Sequence, residues 1–240
     1  MFHQRDCYQM KIETFNPKNE ELKKYVESYY ILEHSENDIK ISYLTFPSLY
    51  SIVAVVNTAE NVVLDDKIIT KFSMSKSLST SLVCRFNEPS FFEYQGNVIE
   101  ICLYFKPLGL NAFLKKDLAN FSHSSFNSFV PFSDYELEMK GILDIKDREL
   151  LVENLEKYWL SKLNGFTHPF LSEAISKIDE NLKITTAKLA SEFNVSQKTL
   201  ISQSKKHLCK TPSEYKKILR FRKAVAEMKG SNEKTSLTEL

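Results

Sequence analysis

The chain has 240 residues, 42% hydrophobic and 26% charged, with a formal net charge of +1. That composition can bury one large or two small cores and is ordinary for a globular protein. No apolar run reaches the roughly 18 residues that a membrane span needs, and "MFHQRDCYQMKIETF" at the start lacks the apolar centre of a signal peptide, so the expectation is a cytoplasmic protein with no membrane partner.

The first hundred residues predict strands. "YVESYYIL" (25–32), "KISYLTF" (40–46), "SIVAVVN" (51–57), "KIITKF" (67–72) and "NVIEICLYF" (97–105) are short and rich in β-branched and aromatic residues. With only five glycines in the chain, Asn and Asp must make many of the turns. The spacing predicts a sandwich, a barrel or a strongly curved antiparallel sheet. Tyr29, Tyr43, Phe92, Tyr94 and Tyr104 fit either core packing or the wall of an effector pocket. "FKPLGLNAFL" (105–114) predicts a strand ended by Pro107 and leading into a short helix. "FSHSSFNSFVPF" reads as a connector. "DIKDRELLVENLEKYWLSKL" (144–163) predicts a helix with an apolar stripe of Leu150, Leu151, Leu155, Trp159 and Leu163, packed on the sheet or on another copy of the chain. "NGFTHP" (164–169) is a break. It divides an α+β chain into a β-rich part, residues 1–164, and an all-α part, residues 165–240.

Charge follows the same division. Residues 165–240 carry a net +6 and residues 1–164 a net −5, which points to different partners for the two parts. Four helices are predicted in the basic part. The first, "HPFLSEAISKIDEN", has Thr167 as candidate N-cap, Pro169 in its first turn, and Phe170, Leu171, Ala174, Ile175 and Ile178 on one face. Thr185 caps the second, "TAKLASEF", which stops at Asn194, the residue after Gly most tolerant of positive φ. Val195 plugs the corner, and Ser196 caps a third helix from Gln197 to Leu208. Lys198, Ile201, Ser202 and Lys205 share one face of it; Leu200, Ser204 and Leu208 share another. Thr211 caps a fourth helix, with Pro212 in its first turn. Its inward residues are Tyr215, Ile218, Leu219, Val225 and Met228, and Lys216, Lys217, Arg220, Arg222 and Lys223 supply positive charge. A short helix held across a tight corner and flanked by cations suits a DNA major groove. The same pattern also fits a small helical bundle with a solvated lysine face.

Little in the chain suggests catalysis. Cys7, Cys84, Cys102 and Cys209 form no C-x-x-C pair, and Cys102 in "VIEICLYF" reads as a buried free thiol. His3, His34, His123, His168 and His207 lack metal-ligand spacing. Asp65–Asp66 reads as a solvated turn rather than a dyad. No nucleophile elbow, P-loop or dinucleotide fingerprint occurs. No enzyme, catalytic residue, metal or cofactor is expected.

Residues 184–225 resemble the first helix–turn–helix and linking helix of AraC/XylS-type bacterial transcription regulators. The resemblance lies in Leu189–Ala190, the S-x-x-x-L of Ser196–Leu200, the K-K-x-L of Lys205–Leu208, the T-P-x-E-Y of Thr211–Tyr215 and the R-F-R-K-A of Arg220–Ala224. The F-x-P-x-G of Phe105, Pro107 and Gly109 resembles one sensor-domain type of that family. The resemblance implies sequence-specific binding of double-stranded DNA through Ser196, Gln197, Lys198, Ile201, Ser202, Lys205 and Lys206. It also implies an N-terminal part that senses an unidentified small-molecule effector or forms a homodimer. The family usually has arginine at Ser202, phenylalanine at Ser204 and glycine at Cys209. It also has a second helix–turn–helix, of which "TSLTEL" (235–240) resembles only the opening. The alternative is a sensor or protein-interaction module that has lost autonomous DNA binding.

Overall fold

The computed structural model describes residues 11–34, 40–64, 67–85, 88–124 and 126–230; Asp65–Asp66 and the segment 235–240 lie outside them. Among the described residues ten strands form two sheets. β1 (Lys11–Phe15), β2 (Val26–His34), β4 (Ser51–Asn57), β7 (Leu78–Val83), β9 (Val98–Phe105) and β10 (Asn127–Ser128) make the first, in the order β1-β2-β9-β4-β7-β10. β3 (Lys40–Thr45), β5 (Ala59–Leu64), β6 (Lys67–Phe72) and β8 (Ser90–Gln95) make the second, in the order β3-β8-β6-β5. Among the described residues the sheets do not close into a barrel, one of the forms the strand spacing suggested. Nor is the fold wholly antiparallel, because β6 and β8 run parallel.

The central strands of the first sheet are buried on both faces, which is why β4 and β9 read as continuous apolar runs. Side chains alternate across a strand. In β9, Ile99, Ile101, Leu103 and Phe105 join the main core, while Glu100, Cys102 and Tyr104 face a cavity on the other side. β2 splits likewise: Tyr29 and Ile31 lie in the core and Tyr30 faces the cavity.

The core face is covered by α1 (Tyr135–Leu143) and α2 (Arg148–Ser161). Trp159 of α2 meets Phe105 edge-on with ring centroids 4.9 Å apart. α2 thus packs on the sheet, but its stripe is narrower than expected, since Leu150 is exposed. Buried Glu156 is fully engaged. It accepts from the Tyr29 hydroxyl at 2.6 Å and from the amides of Lys18 and Asn19 at 2.7 and 3.0 Å.

The strand end at Phe105 becomes a 3-10 turn, Gly109–Ala112. Leu108 enters it with φ 67° and packs into the cluster of the C-terminal helices. A Cβ on Gly109 would run into the carbonyl oxygen of Tyr25, so only glycine lets the two backbones approach.

Four helices follow: α3 (Leu171–Glu180), α4 (Thr186–Glu192), α5 (Gln197–Leu208) and α6 (Pro212–Gly230). Their starts are set locally. Thr185 accepts from the Lys188 amide and Ser196 from the Thr199 amide. Thr211 and Glu214 form a reciprocal capping box, at 3.1 and 2.7 Å. Thr167 does not cap α3, whose N-cap is Phe170; the His168 Nδ1 accepts from the amides of Phe170 and Leu171 at 3.4 and 3.2 Å. Met228, expected inside, is exposed, and Val225 is half-buried, because α6 runs past the cluster it packs on.

Gly109→Ala is expected to lower stability by about 2 kcal/mol or more, the scale of forcing atoms into a close-packed site. Urea denaturation checks this, and an unchanged midpoint would mean that the approach to Tyr25 is not rigid.

Candidate functional site

The corner between α4 and α5 turns at Asn194, with φ 53°. Left-handed backbone costs an ordinary residue about 1–2 kcal/mol, less for Asn. Val195 then donates its amide to the Ala190 carbonyl at 3.0 Å, closing the turn. Leu200, Ser204 and Leu208 are buried, as their spacing predicts. Ser204 is 2% exposed, and its hydroxyl donates to the Leu200 carbonyl at 2.8 Å. A serine is tolerated on the buried face because its hydroxyl is paired within its own helix.

Of the residues singled out for DNA contact, Ser196, Gln197, Lys198, Ser202 and Lys205 are exposed on α5 or at its cap. Ile201 is half-buried. Lys206 points elsewhere and pairs with Asp117 of the β-rich part at 3.2 Å. Most of the basic residues of α6 are also committed, though Lys217 is exposed. Lys216 donates to the Ile184 carbonyl at 2.6 Å, Arg220 to Leu182 at 2.7 Å and Lys223 to Asp179 at 3.1 Å. These side chains tie down the end of α3 and the loop after it, where orphan carbonyls favour cations.

The end of α5 is locked to the β-rich part by buried polar contacts. Asn111 donates to the His207 carbonyl at 2.8 Å, and its side-chain oxygen lies 3.2 Å from His207 Nδ1. Burial lowers the pKa of His207. Lys210 is 2% exposed and donates to the carbonyl of Cys84, beyond β7; burial lowers its pKa as well. Cys209 caps α5 with φ 56°, although it carries a Cβ. The Cys84 thiol beside it pulls its pKa down, against burial and with help from Arg85 and Ser122. The side chain therefore belongs to the main core and fixes the strained residue in place.

A cavity of about 770 Å³ lies between the two sheets. Tyr43, Phe92, Tyr94 and Tyr104 line it, whereas Tyr29 faces the opposite side of β2. Helix α6 contributes Leu219, Arg222, Lys223 and Ala226 to its wall. Arg222 also spans to the loop after β3, donating to Pro47 at 2.7 Å and Phe46 at 2.8 Å. On β9, Glu100 is 4% exposed. Its Oε1 accepts from the hydroxyls of Tyr30 and Tyr94 at 2.9 and 2.8 Å and from the Cys102 thiol at 3.1 Å. Burial raises the pKa of Glu100. The sequence pattern did not single out Glu100, Asn111 or Lys210. Only the alternation of β9, which sets Glu100 opposite Ile101, carried a signal for any of them. Among the described residues no group of three or more His, Cys, Asp or Glu could hold a metal ion, and no helix is long and apolar enough to cross a membrane.

No family model and no curated protein matches this chain. Solved structures do. Apo ToxT from Vibrio cholerae is 12% identical with a TM-score of 0.40, covering 86% of this chain and 84% of ToxT. ToxT from the same source with unsaturated fatty acid bound is 14% identical with a TM-score of 0.36, covering 98% and 85%. The AraC-like transcriptional activator CuxR is 12% identical with a TM-score of 0.30, covering 90% and 87%. Likenesses this distant assign no role to any residue.

Ser204→Ala is expected to change the melting temperature little, because the Leu200 carbonyl keeps its helical partner. Ser204→Phe is expected to lower stability by about 1–3 kcal/mol through overpacking. Thermal denaturation of both variants tests the packing, and a rise for the phenylalanine variant would reveal an unfilled space beside Ser204.

Proposed function

We propose that the chain is a DNA-binding transcription regulator of the AraC type. In this reading residues 165–240 carry the DNA-reading element and residues 1–164 form a sensor or dimerisation part. The observation that carries it is the α4–α5 corner, closed at Asn194, which leaves Ser196, Gln197, Lys198, Ser202 and Lys205 exposed at the cap and along α5. The N-terminal half of α5 enters the major groove, the Ser196 cap region meets a phosphate, and Lys198 and Lys205 neutralise phosphates beside it. With Lys206 paired to Asp117 and Lys216, Arg220, Arg222 and Lys223 holding carbonyls, fewer free charges remain, Lys217 among them. Binding is accordingly weak, largely electrostatic and poor in sequence discrimination, particularly with serine at position 202.

The cavity between the sheets is the effector site of this reading. Its wall includes α6, whose first turns pack with α5 on the same cluster, so an occupant touches the element that supports the reader. The second reading, an interaction module without autonomous DNA binding, is favoured by the locked seam at Asn111, His207 and Lys210, which holds α5 against the β-rich part.

Fluorescence anisotropy with a labelled duplex separates the two readings. The DNA-binding reading predicts an affinity that falls steeply with salt. Replacing Lys198 and Lys205 by Ala should weaken binding and flatten the log–log salt slope by roughly 2, about one unit for each phosphate left without its lysine. No binding at low salt would leave the interaction module as the better reading.

A further inference from the structure

Glu100 is an unusual group to find in the wall of an apolar cavity. Three donors, Tyr30, Tyr94 and Cys102, all converge on one carboxyl oxygen, Oε1. Among the described residues no donor meets Oε2 and no cation pairs with the side chain. A buried carboxylate without a counter-charge is costly, and burial accordingly raises its pKa. The cations of the same cavity are spent elsewhere, Arg222 on the Phe46 and Pro47 carbonyls and Lys223 on that of Asp179.

The surroundings of Glu100 are aromatic. Tyr43 stacks on Tyr94 with centroids 5.9 Å apart, and Tyr30 lies 5.9 Å from Tyr104. The hydroxyls of Tyr43 and Tyr94 are 3.1 Å apart, so both rings are fixed beside the carboxyl group. Ring faces attract a cation, and the attraction grows when water is excluded. Three donors already aimed at one oxygen favour the ionised carboxylate as soon as a positive partner arrives. An alkyl or aryl body suits the remaining wall, in which Leu32, Ile52 and Ala54 take part.

We propose that this cavity binds a hydrophobic amine, its ammonium group seated on Glu100 among the rings of Tyr30, Tyr43 and Tyr94. The inference rests on reading the cavity as an effector site and adds the charge of the ligand head group. A protonated amine supplies the missing counter-charge. An alcohol of equal length satisfies one hydrogen bond without charge, and a carboxylate of equal length places like charges together.

Decylamine, decanol and decanoate, titrated below their aggregation limits into the full chain by calorimetry at neutral pH, test this directly. Decylamine should bind about tenfold or more tighter than decanol, the factor expected of one charge-assisted contact, and decanoate more weakly than either. In Glu100→Gln the amine should fall to within about threefold of the alcohol, with decanol binding retained. Decanol serves as the internal control for a folded cavity in the variant, and the wild-type ranking stands on its own if the variant does not fold. Binding of decanol or decanoate at least as tight as that of decylamine would overturn the amine assignment and leave the effector site standing. No binding by any of the three would overturn both.

Discussion

The structure depends on one constraint, that β9 is buried on both faces. Its odd residues, Ile99 to Phe105, are held in the main core beneath α1 and α2. Its even residues, Glu100 to Tyr104, are committed to the space between the sheets. Burying a large apolar side chain is worth about 1.5–3 kcal/mol. A one-residue slip would exchange the faces and drive Glu100 into the apolar core. The register therefore fixes the cavity and its acid in one step. It also fixes where the strand ends, and so the Leu108–Gly109 junction on which the C-terminal helices rest.

From that junction the two halves interlock rather than merely touch. Leu108 of the β-rich half belongs to the helical cluster, and Cys209 of the helical half belongs to the main core. Asn111 and Lys210 cross the seam with buried hydrogen bonds. Breaking such a bond leaves a desolvated group behind, at a cost of about 1–3 kcal/mol. The left-handed Cys209 fits the same picture. Where glycine would be free of strain, this chain keeps a side chain that packs in the main core with Cys84. Helix α6 makes the third connection, with one face in the helical cluster and another in the cavity wall, so occupancy of the cavity and position of α5 share a mechanical element.

The helical half was legible because its signals are local. Thr185, Asn194, Ser196 and Thr211 act within four residues of themselves, and the structure puts α5 at the bounds its caps predict. The β-rich half was only partly legible. β7, "LSTSLV", is too polar to stand out as a strand and is not among the predicted strands, yet Thr80 and Ser81 are buried, and Thr80 is paired to the Phe129 carbonyl at 2.5 Å. β5 follows β4 after the single residue Thr58, at φ 49°, a turn without the usual glycine. α1 carries Tyr135, Met139, Ile142 and Leu143 at helical spacing, but it follows a Ser/Phe-rich connector that masked its start. The candidate sites divide in the same way. Exposure along α5 follows from helical periodicity. The environment of Glu100 and the burial of Lys210 depend on which distant segments pair, and no local pattern encodes that.

The central claim is that α5 and the first sheet form one cooperative unit through the seam at Asn111, Cys209 and Lys210. Native-state hydrogen exchange tests it most directly, by comparing the amides of Leu103 in β9 and Leu208 in α5. Opening free energies that agree within about 1 kcal/mol are predicted, because a shared seam makes the two open together. Exchange at Leu208 through a much less costly opening, with Leu103 still protected, would contradict the claim and make the helical half an independent domain.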